Sequence, residues 1–122
     1  MPHMLLIIEP IGQRESRTEA EGHEAYAVMR RFADELMAKG LLVSAESLAS
    51  QAKAARVAVR GNQTQIVDGP FAEAKEMIGG FYLLNCDTLE EAVAIAARCP
   101  AAQWATIEVR SLAPCYDDAR SA

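Results

Sequence analysis

The chain has 122 residues, the size of one domain, and can bury about two-thirds of its unfolded surface without disulfides or metals. Hydrophobic residues make up 51% and charged residues 24%, which excludes a disordered chain because such chains carry fewer aliphatic residues for their charge. The net charge of -5 would repel a phosphate backbone, and Arg30-Arg31 is the only adjacent basic pair, so we expect no nucleic-acid partner.

The cysteines and the hydropathy pattern exclude further classes. Cys86, Cys99 and Cys115 lack the CxxC spacing of zinc and redox sites, so we expect reduced thiols that pack as small apolar residues. Two histidines without a third ligand at metal spacing predict no metal site, and no cofactor is expected. The N-terminal apolar run ends at Glu9, and no segment approaches the ~20 apolar residues of a membrane span. We therefore expect a cytoplasmic protein without membrane association.

The first predicted elements are a strand and a helix. Met4 to Ile8 is a continuous apolar run between two prolines, which is typical of a strand buried on both faces. Thr18 precedes Glu21 by three residues, the spacing of a capping box at a helix start. Apolar residues then recur every three or four positions up to Lys39, and Gly40 suits the left-handed turn after a helix.

The sequence pattern in the middle of the chain predicts two strands and, between them, a hairpin. Leu41 to Leu48 restarts as a strand directly after the helix. Arg56 to Arg60 alternates with period two and meets Thr64 to Val67 across Gly61-Asn62-Gln63, which predicts a hairpin because glycine and asparagine tolerate positive φ. Phe81 to Cys86 is the next strand-like run.

A second helix and a last strand complete the domain. Thr88 and Glu91 repeat the capping-box spacing, and Pro100 ends the helix that follows. Trp104 to Leu112 alternates as a strand. We predict one domain over residues 1–113 and a polar C-terminal tail over residues 114–122.

The order of the elements predicts the fold. Two strand-helix-strand units with a hairpin between them are typical of an α+β ferredoxin-like sandwich, in which both helices cover one face of an antiparallel sheet. Three of the strands are apolar on both sides, so the helix-free face would expose a large apolar patch, and such patches usually mark interfaces. We predict a homodimer joined through the helix-free sheet faces, as in dimeric α/β barrels.

Neither a helix nor a strand period explains residues 68–81, which read DGPFAEAKE, then MI, then GGF. This stretch resembles the signature of the DGPF branch of the YCII-related domain family, and the similarity extends over nearly the whole chain. The resemblance implies a dimeric ferredoxin-like fold with one pocket per protomer. One relative in the broader family eliminates chloride from a chlorinated aromatic.

The chain departs from the family pattern at informative positions. Ala74 stands where the family commonly has Thr, and Ser111 stands where Pro commonly follows Glu-Val-Arg. The shorter branch of the family suggests a His-Asp pair, and only its aspartate can be matched here, to Asp68. His23 lies too early in the first helix to be equated with that histidine.

Residues 68–81, which resemble the family signature, also contain the candidate catalytic residues. Asp68 is the candidate general base, and the alternative is an aspartate that caps a turn by accepting backbone N–H groups. Lys75 is the candidate cation for an anionic substrate or enolate, and the alternative is a surface ion pair. Gly79-Gly80 lets the backbone pass where a Cβ would clash.

Other candidates are substrate-binding residues, each with a structural alternative. The structural alternative is a core plug for Phe71, a cross-strand ion pair for Glu108 and Arg110, and a solvated histidine for His23. The full predicted substrate-binding set is Phe71, Glu73, Tyr82, Glu108, Arg110 and His23.

Two hypotheses for function follow. In the first, the protein binds a small anionic or aromatic molecule between the sheet and the DGPF stretch and performs cofactor-free proton abstraction or elimination. Asp68 would then be the base, and Lys75 or Arg110 would stabilise negative charge. In the alternative, the protein is a non-catalytic ligand-binding or regulatory dimer, and the stretch mainly builds the turn and the interface.

Overall fold

A computed structural model describes residues 2–121, so Met1 and Ala122, the ends of the predicted domain and tail, lie outside the described residues. The strands and helices are β1 His3–Pro10, α1 Glu19–Ala38, β2 Leu42–Ser47, β3 Ala55–Arg60, β4 Gln63–Asp68, β5 Glu76–Leu84, α2 Leu89–Arg98 and β6 Thr106–Ser111. Short 3-10 turns cover Gln51–Lys53, Pro100–Gln103 and Cys115–Asp118.

The main sheet has four antiparallel strands in the order β2-β5-β1-β6. Both helices pack on one face of it, and their buried residues share one core with β1 and β5. The predicted α+β class is confirmed, and this arrangement is compatible with a ferredoxin-like sandwich. No helix within residues 2–121 is both long and apolar enough to cross a membrane.

The apolar run of β1 is continuous because both faces of the strand are buried or half-buried. Its odd-numbered residues, from His3 to Glu9, are buried toward the helices. Met4, Leu6 and Ile8 point to the helix-free face and are half-buried. The core beneath the helices consists of Leu5, Ile7, Phe32, Ala33, Leu36, Tyr82, Leu84, Cys86, Ala92, Ile95, Ala96, Cys99 and Ala101.

Local capping fixes the limits of both helices. Thr18 Oγ1 accepts a hydrogen bond from the Glu21 N–H at 3.1 Å, and the Glu21 carboxylate accepts one from the Thr18 N–H at 2.8 Å. These bonds hold the pKa of Glu21 below its usual value. At the other end Gly40 has φ +71°, and at the start of α2 the Thr88 side chain accepts a hydrogen bond from the Glu91 N–H at 3.1 Å. The predicted starts of both helices are confirmed.

The predicted hairpin is confirmed, with a shorter turn. Gly61 and Asn62 have φ of 57° and 65°, which is the geometry of a two-residue hairpin turn, so β4 begins at Gln63. The hairpin does not pair with the main sheet and forms a separate two-stranded sheet. We call residues 55–68 the arm.

The predicted start of the strand at Phe81 is wrong, because β5 begins at Glu76. Glu76 pairs with Pro10, and the register shifts where Gly79 forms a bulge between Ile78 and Gly80. The predicted close backbone passage is confirmed. A Cβ on Gly79 would collide with the Glu9 side chain, and one on Gly80 would lie 2.7 Å from the Glu46 carbonyl oxygen.

Candidate functional site

A cavity of about 300 Å³ lies between α1 and the sheet. The inward side of β1 and the glycines of β5 form its floor, while α1 and the residues after α2 form its walls. We call it the helix-sheet cavity. The polar and aromatic residues that line it are Glu9, Arg14, Arg17, Tyr26, Arg30, Glu46, Ser47, Phe81, Tyr82 and Trp104.

A buried ion pair forms one side of the helix-sheet cavity. The Glu9 side chain is 6% exposed, and Arg14 contacts its Oε1 through Nε at 2.8 Å and through Nη2 at 2.5 Å. Arg14 also donates to the carbonyl oxygens of Leu48 at 2.8 Å and Gly79 at 3.2 Å. A buried carboxylate needs such a partner, because an unpaired charge would be costly away from water. The guanidinium therefore joins the end of β1 to the end of β2 and the bulge of β5.

Two further arginines line the same cavity. The Arg17 guanidinium lies 5.6 Å from the centroid of the Trp104 ring, within the range of a cation–π contact. Gln13 holds that region in place by donating from Nε2 to the Trp104 carbonyl oxygen at 2.6 Å. Arg30 reaches the cavity from α1 and lies 4.0 Å from Asp34 in an exposed pair. Three arginines and two glutamates line the cavity, so its lining carries a small net positive charge although the whole chain is acidic.

Tyr82 lies between the cavity and the core. Its hydroxyl donates to the Met29 carbonyl oxygen at 2.5 Å, and its ring packs 5.7 Å from Phe32. Burial raises the pKa of the Tyr82 hydroxyl, so this group stays a neutral donor. Burial also raises the pKa of the Cys99 thiol, whose Sγ lies 4.0 Å from the Met29 sulfur.

The structure does not bring the two predicted catalytic residues into this cavity. Asp68 is the last residue of β4 and is exposed, and within residues 2–121 no described hydrogen bond involves its carboxylate. The turn after it is instead held by the Gly69 N–H, which donates to the Ala54 carbonyl oxygen at 2.8 Å. Lys75 is also exposed, and its carbonyl oxygen accepts from the Ile11 N–H at 2.9 Å.

The other residues of the DGPF stretch lie at the base of the arm. Phe71 is buried, but outside the main core, because it packs beneath the Arg56 guanidinium at 3.8 Å from the ring centroid. Glu73 pairs with Arg56 at 3.1 Å, and both side chains are exposed. Phe71 thus plugs the space under the arm and not the predicted space in the core.

Three remaining candidates lie away from the helix-sheet cavity. Glu108 and Arg110 form an exposed ion pair at 3.3 Å on β6, on the helix-free side of the sheet. His23 is exposed on α1 and lies 3.7 Å from Glu19. Of the eight residues predicted from the sequence, Tyr82 is the one that lines the helix-sheet cavity.

Sequence reasoning missed the ion pair of Glu9 and Arg14. A signal was present, because Glu9 continues the two-residue period of Leu5 and Ile7 and so falls on the core side of β1. A charged residue in that phase requires a buried partner. Arg14 and Arg17 lie in a loop. A loop has no regular repeat along the sequence from which the direction of a side chain could be predicted. Within residues 2–121, no group of three or more His, Cys, Asp or Glu side chains could hold a metal ion.

The fold and the cavity define a small α+β protein with a charged, aromatic-lined pocket between a helix and its sheet. The sequence pattern of the YCII-related domain matches residues 1–115, and the chain belongs to that family. The chain is 37% identical over 89 residues to an uncharacterised protein of Rhizobium meliloti (strain 1021), covering 71% of this chain and 68% of that protein. The predicted family is confirmed, and its DGPF branch stays a prediction.

Proposed function

We propose that this protein binds a small organic anion in the helix-sheet cavity. The observation that carries the proposal is the set of arginines around one buried carboxylate. Glu9 is already paired with Arg14, and the contact of Arg30 with Asp34 is exposed and long at 4.0 Å, so Arg17 and Arg30 supply positive charge to an incoming ligand. An anion entering this partly enclosed space would gain charge-assisted hydrogen bonds that water screens less than at an open surface.

The walls of the cavity favour a ligand with a planar ring. Tyr26 and Trp104 supply aromatic surface, and Met29 and Ala33 supply apolar surface between them. A volume of about 300 Å³ lies at the small end of ligand pockets, and favours a single-ring molecule over a nucleotide. A benzoate or a phenylpyruvate combines the ring with the negative charge.

The binding proposal is tested with benzoate and its neutral analogue benzamide. We expect isothermal titration calorimetry to detect benzoate binding that Arg30→Gln weakens by about tenfold or more, because a hydrogen bond to a charged group contributes about 1.5–3 kcal/mol. Arg31→Gln is the matched control, since its side chain faces Glu24 outside the cavity and should leave the affinity unchanged. Equal affinity for benzoate in the two variants, or equal binding of benzamide, would contradict the proposal.

A second candidate function is cofactor-free proton abstraction with Glu9 as the base. Both contacts from Arg14 fall on Oε1 of Glu9, so Oε2 would be the oxygen that accepts the proton. The carboxylate would take a proton from a carbon next to a carbonyl group, and the C–H electron pair would form an enolate held by the arginines. The proton then returns to the carbon. Glu9 thereby takes the role that the sequence suggested for Asp68.

Proton abstraction can be measured without knowing the natural substrate. We expect the protein to accelerate deuterium exchange at the methylene carbon of phenylpyruvate above the buffer rate, followed by proton NMR. Glu9→Gln should remove the acceleration because an amide cannot accept the proton, and Asp68→Asn should retain it. Exchange lost only in Asp68→Asn would restore Asp68 as the base, and no acceleration by the wild type would reject this candidate.

We also propose that the protein is a homodimer of the dimeric α/β-barrel type, joined through the helix-free sheet faces. Met4, Leu6 and Ile8 of β1 lie beside Phe81 and Leu83 of β5 on that face. A contiguous apolar surface of this kind usually marks an interface. In this arrangement Glu108 and Arg110 would enter the interface as an ion pair that is already formed.

A further inference from the structure

The helix-sheet cavity exists because α1 packs against the sheet along only part of its length. Ala33 and Leu36 are 3% and 1% exposed, so the second half of the helix is packed into the core. In the first half, Gly22 and Ala25 line the cavity instead. The helix and the sheet are therefore in contact at one end of the cavity and apart at the other.

Gly22 lies at the open end of the cavity. An α-helix has 3.6 residues per turn, so position 22 lies about two turns before Met29 and about three turns before Ala33, on the same side of α1. All three residues line the cavity. A Cβ added to Gly22 would nevertheless have no atom of the sheet within 4 Å. The side of the helix that is packed at Ala33 therefore borders empty space at Gly22.

Neither the backbone nor the packing requires glycine at position 22. Gly22 lies inside a regular helix, and its N–H donates to the Thr18 carbonyl oxygen at 2.9 Å. Glycine is unfavourable there because it loses more conformational freedom on folding than any other residue. By contrast, close contacts require the glycines at positions 79 and 80. What a larger residue at position 22 would change is the volume of the cavity.

The position of Arg30 indicates the direction in which a ligand extends. At a rise of 1.5 Å per residue, Arg30 lies about 12 Å farther along the helix axis than Gly22. Just beyond Arg30, the buried residues Phe32 and Ala33 close the cavity. A molecule whose carboxylate pairs with Arg30 therefore extends along α1 toward Gly22.

We propose that Gly22 determines the length of the ligand, and that the ligand is an aromatic acid with an apolar substituent opposite its carboxylate. The substituent occupies the space that a side chain at position 22 would fill, beside the apolar surface of Ala25 and Tyr26. Each methylene group that leaves water there adds to the affinity. This inference rests on the anion binding proposed above and adds the shape of the anion.

Isothermal titration calorimetry with benzoate and 4-butylbenzoate tests the role of Gly22. We expect the wild type to bind 4-butylbenzoate about tenfold or more tightly than benzoate, because the butyl chain is buried beside Gly22. Gly22→Leu should weaken the binding of 4-butylbenzoate by about tenfold or more, because leucine fills the outer end of the cavity. It should change the affinity for benzoate by less than about threefold.

Ala20→Leu is the matched control. It adds a leucine to the same turn of α1 at an exposed position outside the cavity, and it should leave both affinities unchanged. Thermal denaturation followed by circular dichroism checks the fold of each variant. Gly22→Leu should melt no lower than the wild type, because leucine is a better helix former than glycine and enters open space. A lower melting temperature would mean that protein fills this space, and it would overturn the inference.

The outcomes separate this inference from the anion-binding proposal. A wild type that binds neither acid contradicts both proposals. A wild type that binds benzoate and 4-butylbenzoate equally overturns the role of Gly22 alone. The same holds if Gly22→Leu keeps its affinity for 4-butylbenzoate, or loses affinity for both acids to the same extent.

Discussion

At the scale of single residues, Gly79 connects the GGF segment to the ion pair of Glu9 and Arg14. The bulge at this residue brings its backbone against the carboxylate of Glu9 and the guanidinium of Arg14, which also bonds its carbonyl oxygen. Only hydrogen fits in the direction of the missing Cβ. The glycine therefore determines where the ion pair can lie, and with it the shape of the helix-sheet cavity.

The substitution Gly79→Ala should lower the free energy of unfolding by about 1–3 kcal/mol, because the methyl group overpacks a buried position. Gly22→Ala is the control. That glycine lies within α1 with no atom within 4 Å of an added Cβ, so alanine should stabilise the helix by about 0.5–1 kcal/mol. Urea denaturation followed by circular dichroism measures both changes. A Gly79→Ala variant as stable as the wild type would contradict the packing described for the bulge.

The sequence could predict single residues only where a local rule applies. Thr18 was identified as a cap because its partner lies three residues away, and the structure confirms it. Asp68 and Lys75 were chosen from a motif, and nothing in the motif indicates whether their side chains face solvent or a cavity. Glu9 was detectable from its phase in β1, whereas the position of Arg14 depends on contacts with Leu48 and Gly79, far away in the chain.

At the scale of elements, the end of a helix or strand was predictable where a local sequence signal determines it. It was not predictable where pairing with a distant segment determines it. Helix α1 ends where predicted because Gly40 terminates it locally. Strand β5 begins five residues earlier than predicted because Glu76 and Met77 pair with Pro10 and Glu9 of β1. Pairing between distant segments extends a strand through residues that have little strand propensity of their own.

The hairpin has one feature that could be predicted from local sequence and one that could not. Its turn was predictable because Gly61 and Asn62 accept positive φ, a property of two adjacent residues. Its separation from the main sheet was not predictable, since alternation in β3 and β4 is the same whether or not a third strand lies beside them. The order β2-β5-β1-β6 leaves no place for the hairpin between the strands of the main sheet.

At the scale of the whole molecule, a substitution on the helix-free sheet face tests whether this face is the dimer interface. We expect size-exclusion chromatography with light scattering to give the mass of a dimer for the wild type. Leu6→Asp should give a monomer, because it places a carboxylate among apolar residues beside Phe81 and Glu108. Leu89→Asp makes the same change at an exposed leucine that begins α2 and should leave the dimer intact. A dimer that persists in Leu6→Asp would reject the helix-free face as the interface.

The position of Trp104 has an optical consequence. It is the single tryptophan of the chain, and it lies in the wall of the helix-sheet cavity with the Arg17 guanidinium over its ring. A ligand that draws Arg17 toward its own negative charge changes the electric field at the indole, and the fluorescence emission of the indole shifts with that field. The unlabelled protein therefore carries a spectroscopic reporter of cavity occupancy, with no second indole to obscure the signal.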